Sequence, residues 1–151
     1  MLIRPVTKEE RLQSAQLLTI ESGDLTISAA DDAIHCDYTL QIGAEGTDGP
    51  AISITDCDEG PEAAALHVAS GDIRIRASDD CLNAANSDLS GFDFSMDISG
   101  GTISAYTTDG DGFDSNGSMT ISSGTPPEKP DGGTPPERLD NASEPPEPGN
   151  L

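Results

Sequence analysis

Basic residues, aromatic residues and long apolar segments are scarce in this chain of 151 residues, and each scarcity excludes a class of protein. Only 7 Lys and Arg stand against 28 Asp and Glu, so the formal net charge is −21 and nucleic acid is excluded as a partner. Aromatic residues make up 3% of the chain and tryptophan is absent, which argues against a broad globular core. No apolar run is long enough to cross a membrane, and we expect no membrane partner and a monomer.

Cysteines are few, and a targeting segment is missing from the N-terminal region. Cys36, Cys57 and Cys81 are odd in number and form no CxxC motif, so we interpret them as small buried hydrophobic residues. The first residues contain no apolar run of the length that a secretory signal needs. We therefore expect a cytoplasmic protein if the chain is complete, and otherwise a piece of a longer exported protein, which we favour.

An internal repeat that begins at residue 18 is the strongest signal present. Each unit contains two short strands in which apolar and polar residues alternate, so one face of each strand is predicted to be buried. The first strands, with the glycine corners that follow them, carry Leu18/Ile20/Gly23, Leu40/Ile42/Gly46, Leu66/Val68/Gly71, Met96/Ile98/Gly101 and Met119/Ile121/Gly124. The second strands carry Leu25/Ile27, Ile52/Ile54, Ile73/Ile75 and Ile103/Ala105.

Acidic turns separate the two strands of each unit, at 31–37, 58–64, 79–85 and 110–116. Successive units start 22 to 30 residues apart, and polar inserts at 43–49 and 86–91 account for the longer intervals. A βαβ solenoid would need helical segments, and a β-sandwich would not repeat the acidic turn. The pattern predicts an all-β protein, a right-handed parallel β-helix of about four coils over residues 18–124.

The two ends of the chain differ from the repeats. In residues 1–17, Thr7 and Glu10 match a capping box, so we predict a short helix over 7–17 that covers the open end of the stack. Residues 125–151 are rich in Pro and Glu with no recurring apolar position, which predicts a disordered tail.

Stacking the acidic turns produces two ladders of polar side chains. Carboxylates one strand spacing apart repel each other, unless they splay into water or share a cation such as Ca2+, which accepts six to eight oxygen ligands. Both alternatives remain open from the residues alone. The second turn position reads Asp32, Glu59, Asp80 and Asp111, and the fifth reads His35, Glu62, Asn83 and Asp114. We interpret His35 as a polar turn residue and His67 as an outward surface residue.

A second set of residues has the chemistry to contact a sugar. Arg74 and Arg76 flank Ile75 and share the outer face of one strand, about 7 Å apart, where they would hold the carboxylates of an acidic sugar or pair with neighbouring acids. Tyr38 and Tyr106 would stack against a sugar ring.

The ordered turns DDAIHC (31–36), DEGPEA (58–63), DDCLNAAN (79–86) and GDGFDSNG (110–117) resemble those of a known family. Its members are secreted bacterial carbohydrate-binding proteins built as calcium-binding right-handed β-helices, similar in fold to family-nine pectate lyases. Ala33 and Cys81 replace the turn glycine of that family, which implies strain if the position has a positive φ. Pro61 replaces an inward isoleucine. The ligands that the resemblance implies for Ca2+ are Asp31, Asp32, Glu59, Glu62, Asp79, Asp80, Asn83, Asp111 and Asp114.

The function predicted from these features is calcium-dependent, non-catalytic binding of cellulose-like or pectate-like polysaccharide, outside the cell or at its surface. A structural or adhesive β-helix fragment without a ligand is the first alternative. A polysaccharide lyase is the less favoured one, because the repeats contain no Lys and their two arginines share one strand.

Overall fold

The structure, a computed structural model, describes residues 12–14 and 16–122. Twelve strands and no helix are present in this part of the chain. The strands are β1 (Leu12–Ser14), β2 (Leu17–Ile20), β3 (Asp24–Ser28), β4 (Ile34–Ile42), β5 (Ala51–Cys57), β6 (Pro61–Val68), β7 (Asp72–Ala77), β8 (Leu82–Ala84), β9 (Ser95–Ile98), β10 (Thr102–Thr107), β11 (Phe113–Ser115) and β12 (Ser118–Ile121).

All pairings between these strands are parallel, and they build two sheets. Sheet A contains β3, β5, β7 and β10, and sheet B contains the other eight strands. The chain crosses from sheet A to sheet B through an acidic turn and returns through a corner, once per coil. The protein is therefore a parallel β-solenoid of about four coils, as predicted.

The core consists of apolar ladders whose members lie in register on successive coils. In sheet B, Leu18 pairs with Leu40, Leu40 with Leu66 and Leu66 with Met96. In sheet A, the ladder through Ile52 and Ile73 continues to Ile103. In β7, exposed and buried residues alternate from Asp72 to Ala77, as the period-two pattern predicts. The short strands depart from it, since all of β8 is buried and all of β12 is exposed. The inward strand positions predicted from the sequence are thus confirmed in the inner coils. Met119 and Ile121, on the last described strand, pair in register with Met96 and Ile98 but are 41% and 59% exposed, so their predicted burial is wrong.

Two local predictions require correction, because backbone pairing decides these segments. Residues 12–14 of the predicted helix form β1, which adds to the free edge of β4 at Ile34–Cys36 and satisfies backbone groups that a helix would leave unpaired. Leu17, the last residue of the predicted helix, begins β2. Residues 7–11 and 15 of that helix lie outside the described residues, as does the predicted tail at 125–151. The corner of the second coil is formed by Pro50 rather than Gly46, because Ala51 N–H donates to Gly23 and Asp72 N–H donates to Pro50.

Three other predicted corner glycines and the inserts agree with the sequence, and Gly124 lies outside the described residues. Gly23, Gly71 and Gly101 have φ values of 100°, 125° and 87°, a region that side chains with a Cβ rarely adopt. The inserts at 43–49 and 86–91 are loops between strands. No helix in the described part of the chain has the length and apolar character needed to span a bilayer.

Candidate functional site

The acidic turns stack along one edge of the solenoid, where sheet A passes into sheet B. Backbone bonds between coils hold them in register, at nitrogen–oxygen distances of 2.8–2.9 Å. The donors and acceptors are Ala33 to Glu59, Gly60 to Asp80 and Cys81 to Asp111. Carboxylate-bearing residues of four coils therefore lie one strand spacing apart.

The predicted fifth-position ladder is confirmed by strand pairing. His35 pairs with Glu62, Glu62 with Asn83, and Asn83 with Asp114. One position earlier, Ile34 pairs with Pro61 inside the core. Pro61 is the first residue of β6, a place where a strand tolerates proline.

The strain expected at Ala33 and Cys81 is absent. No residue other than glycine has a positive φ among the described residues, and the equivalent Gly60 and Gly112 do not have one either. Gly60 is required for a different reason: a Cβ there would lie 1.9 Å from the carbonyl oxygen of Cys81. Close approach of the next coil, rather than backbone conformation, selects glycine at this position.

Five residues form what we call the carboxylate cluster: Asp32, His35, Glu59, Glu62 and Asn83. His35 Nδ1 lies 2.9 Å from Glu62 Oε1 and 3.1 Å from Asp32 Oδ2, yet neither contact has hydrogen-bond geometry. The side chains of Asp32, His35 and Glu62 are only 14%, 16% and 15% exposed to solvent. Their ligand atoms all lie within 4.8 Å of one another, an arrangement able to hold a metal ion.

Asn83 closes the cluster from the neighbouring coil. It is 6% exposed, and its Nδ2 donates to Glu59 Oε2 at 3.1 Å and to Glu62 Oε2 at 3.2 Å. Its Oδ1 is buried and has no hydrogen-bond partner. The oxygen and nitrogen of an amide exchange places when the group turns over, so the reversed orientation directs an oxygen at both carboxylates. That orientation is favourable with a cation between the oxygens, or with a proton on one of the two carboxyl groups.

The electrostatics of the cluster oppose full ionisation. The pKa of Glu62 is raised to about 8, first by burial, then by its hydrogen bond with Glu59, then by the negative charges of Asp32, Glu59 and Asp31. A group that retains its proton at neutral pH is the response expected when carboxylates crowd together with no compensating charge.

The other predicted ligands lie outside the cluster, at the outer rim of the turns. Asp80 Oδ1 accepts the Asp111 N–H at 2.7 Å, so this carboxylate holds the turn of the next coil. Asp79 is exposed, and the charge of Asp80 is the main cause that raises its pKa. Asp31 is exposed, and Asp114 is half-buried beside Asn83.

Two acidic residues contribute to this edge that the sequence did not single out, Asp37 and Asp58. Asp37 Oδ1 lies 3.0 Å from His35 Nε2, so His35 stands between three carboxylates and is more than a polar turn residue. Asp58, at the rim, accepts a 2.6 Å hydrogen bond from Ser78. The alignment of the turns contained a signal for Asp58, which occupies the first position of the second turn. Asp37 is the last residue of the first turn, where the other turns have Ala64, Ala85 and Asn116, so it formed no acidic ladder.

The four predicted sugar-contacting residues do not form one site. Arg74, Arg76 and Tyr106 lie on the outer face of sheet A, where Arg74 pairs with Asp72 at 2.9 Å. The Arg76 guanidinium lies 5.0 Å from the centre of the Tyr106 ring. Tyr38 lies on sheet B, with its ring centre 6.0 Å from that of Phe92.

The cysteines are buried and free, as predicted. The pKa of Cys57 is raised to about 12, mainly by burial, and burial also raises that of Cys81. Thiols that stay protonated in an apolar interior act as packing groups.

Comparisons with protein-family models, with curated proteins and with solved structures find no match for this chain. The geometry itself defines a class: a parallel β-solenoid with acidic turns stacked along one edge. The family resemblance rests on the four turns, and everything it implies beyond the fold is a proposal.

Proposed function

We propose that this protein is a non-catalytic, calcium-stabilised β-solenoid that binds polysaccharide. The observation that carries the proposal is the carboxylate cluster, in which side chains from three successive coils converge on buried, incompletely bonded atoms. Repulsion between these groups is the cost of the arrangement, and a divalent ion would offset it.

The donor set fits Ca2+. Asp32, Glu59, Glu62 and the Asn83 amide offer carboxylate and carbonyl-type oxygens, the ligands that calcium prefers. His35 adds a nitrogen, which favours Zn2+ and similar ions over calcium. A binding experiment should therefore compare the two metals.

Polysaccharide as the ligand is supported by the four turns that resemble carbohydrate-binding proteins. The absence of catalysis is supported by the two arginines, which lie on one strand and contact Asp72 and Tyr106 rather than flanking a cleft. A β-elimination needs a free base next to the sugar carboxylate.

Calorimetric titration of the chelator-treated protein with Ca2+ and with Zn2+ tests the metal. We expect saturable Ca2+ binding, a higher melting temperature with Ca2+, and release of a proton as Glu62 ionises. Glu59→Gln should weaken binding at least tenfold, whereas Asp24→Asn, an exposed acid at the start of β3, should not. No heat and no change in melting would refute the metal.

Binding of polysaccharide is tested separately, by affinity electrophoresis in gels that contain polygalacturonate, cellulose derivatives or no polymer. Retardation by at least one polymer in the presence of Ca2+ is the expected result. Unchanged mobility in all of them would refute the binding function.

One observation favours a second candidate, a purely structural solenoid. A protonated Glu62 hydrogen-bonds to Glu59 without any cation, so the cluster has a metal-free state. If this is the native state, chelator will leave the melting temperature unchanged at pH 6 and no polymer will bind.

A further inference from the structure

A groove of about 390 Å³ crosses the outer face of sheet B, separate from the carboxylate cluster. Its floor carries the outward side chains of four successive rungs, which pair in register. These side chains are Thr19, Gln41, His67 and Asp97. A volume of this size lies within the usual range for pockets that bind small molecules.

The wall of the groove is a fixed part of the fold. It begins at Gly43, Ala44 and Glu45, the start of the insert that follows β4. Ala44 N–H donates to the Ser70 hydroxyl at 3.1 Å, and the Thr47 hydroxyl lies 3.0 Å from the same oxygen. Gly43 has a φ of +69°, and a Cβ there would lie 2.2 Å from Ser70 Oγ. The insert is therefore anchored to the next coil.

The chemistry of the lining selects the ligand. Gln41 offers an amide, and His67 and Asp97 offer an imidazole and a carboxylate whose nearest atoms are 3.4 Å apart. Glu21 and Glu45 add negative charge, so an anionic ligand is disfavoured. The small apolar surfaces of Ala44 and Ala69 would contact carbon-bound hydrogens. Polar groups around an apolar patch match a pyranose ring, which has hydroxyls at its rim and C–H bonds on its faces.

The basic side chains lie on the other sheet. Arg74 and Arg76 are the two Lys or Arg residues among the described positions 16–122, and both lie on sheet A. The carboxylate of an acidic sugar would find a positively charged partner on sheet A, but no such partner in the groove.

We propose that the groove is a subsite for an uncharged sugar residue, held by Gln41, His67 and Asp97. This inference rests on the proposed function and specifies its ligand class. Tyr38, three residues before Gln41 on β4 and 40% exposed, offers a ring for a neighbouring sugar about 10 Å away.

The test is calorimetry of the full chain in Ca2+ with a neutral β-glucan hexasaccharide, an oligogalacturonate and a cationic glucosamine oligomer. We expect the neutral sugar to bind best. His67→Ala and Asp97→Ala should each weaken its binding at least tenfold. The matched change Ser53→Ala, on the outer face of sheet A, should leave it within twofold. Unchanged melting temperatures will show that the variants fold.

The outcomes separate the subsite from the function. Neutral-sugar binding that the groove variants leave intact would overturn the subsite while the function stands. Tighter binding of the acidic oligomer, lost in Arg74→Ala, or tighter binding of the cationic oligomer would overturn the uncharged class. Binding of none of the three sugars would overturn the function together with the subsite.

Discussion

The two sheets have nearly interchangeable inner faces and very different outer faces. Inside, each rung presents two aliphatic residues, such as Leu66 and Val68 in sheet B and Ile73 and Ile75 in sheet A. Outside, sheet B carries the carboxylate cluster and the groove, whereas sheet A carries hydroxyls and two arginines. The inner faces only have to stack, so they specify the fold. The outer faces are free to differ, so function is to be sought there.

The largest effect should come from the inner faces, and it should be the same in both sheets. Leu66→Ala and Ile73→Ala each remove buried methylene groups from the middle of a ladder, at positions that are 0% exposed. We expect each to lower the free energy of unfolding by about 2–5 kcal/mol, measured by urea denaturation. The outward Thr26→Ala should change it by less than about 0.5 kcal/mol. A much smaller cost in one sheet would show that the inner faces are not equivalent.

The next effect in size is expected where the two sheets join. Gly60→Ala puts a Cβ against the backbone carbonyl of Cys81, which cannot rotate away, and should cost about 3 kcal/mol. The equivalent Gly112, in the last acidic turn, has nothing within 4 Å of such a Cβ. Gly112→Ala should therefore change the free energy of unfolding by less than about 0.5 kcal/mol. Equal costs at the two positions would contradict the explanation by close approach.

The same contrast explains how much the sequence alone predicted. The apolar ladders and the stacking of the turns follow from a period of two and from repetition, so both were predictable. The N-terminal strand was not, because Leu12–Ser14 takes its structure from the free edge of β4 rather than from its own helix signal. The repeat already puts Tyr38 after an acidic turn and Tyr106 on a strand that precedes one, so their location on different sheets could be predicted, but the two were grouped by chemistry alone.

The groove and the carboxylate cluster were likewise predictable only in part from the sequence. Repetition predicted that Glu62 would lie beside His35 and Asn83, but not that burial would make Glu62 keep its proton. The outward ladder through Gln41, His67 and Asp97 was accessible to the same alignment, but only the folded insert makes it a groove.

The cluster on sheet B should make metal-free stability depend on pH. The pKa of Glu62 is about 8 in the folded protein against an ordinary value of 4.5, so the folded state binds the proton more tightly than the unfolded state. Stability should therefore fall as the pH rises from about 4.5 to about 8. The full shift is worth about 5 kcal/mol, which solvent screening of this partly exposed group reduces to roughly 2 kcal/mol. Chemical denaturation in chelator at several pH values measures the slope. Glu62→Gln should reduce this dependence of stability on pH, and added Ca2+ should oppose the loss of stability at high pH.

The smallest effect is expected on the outer face of sheet A. Arg76 lies over the Tyr106 ring at 5.0 Å, and both side chains are exposed. A cation–π contact of this kind contributes about 0.5 kcal/mol. A double-mutant cycle of Arg76→Ala and Tyr106→Ala should give a coupling of that size, without any change in calcium affinity.

The exposed pair of Arg74 and Asp72 should give no more than about 1 kcal/mol and should weaken in salt. A coupling energy well above these values, or one that increases when a sugar is added, would indicate that the binding surface lies on sheet A rather than on sheet B.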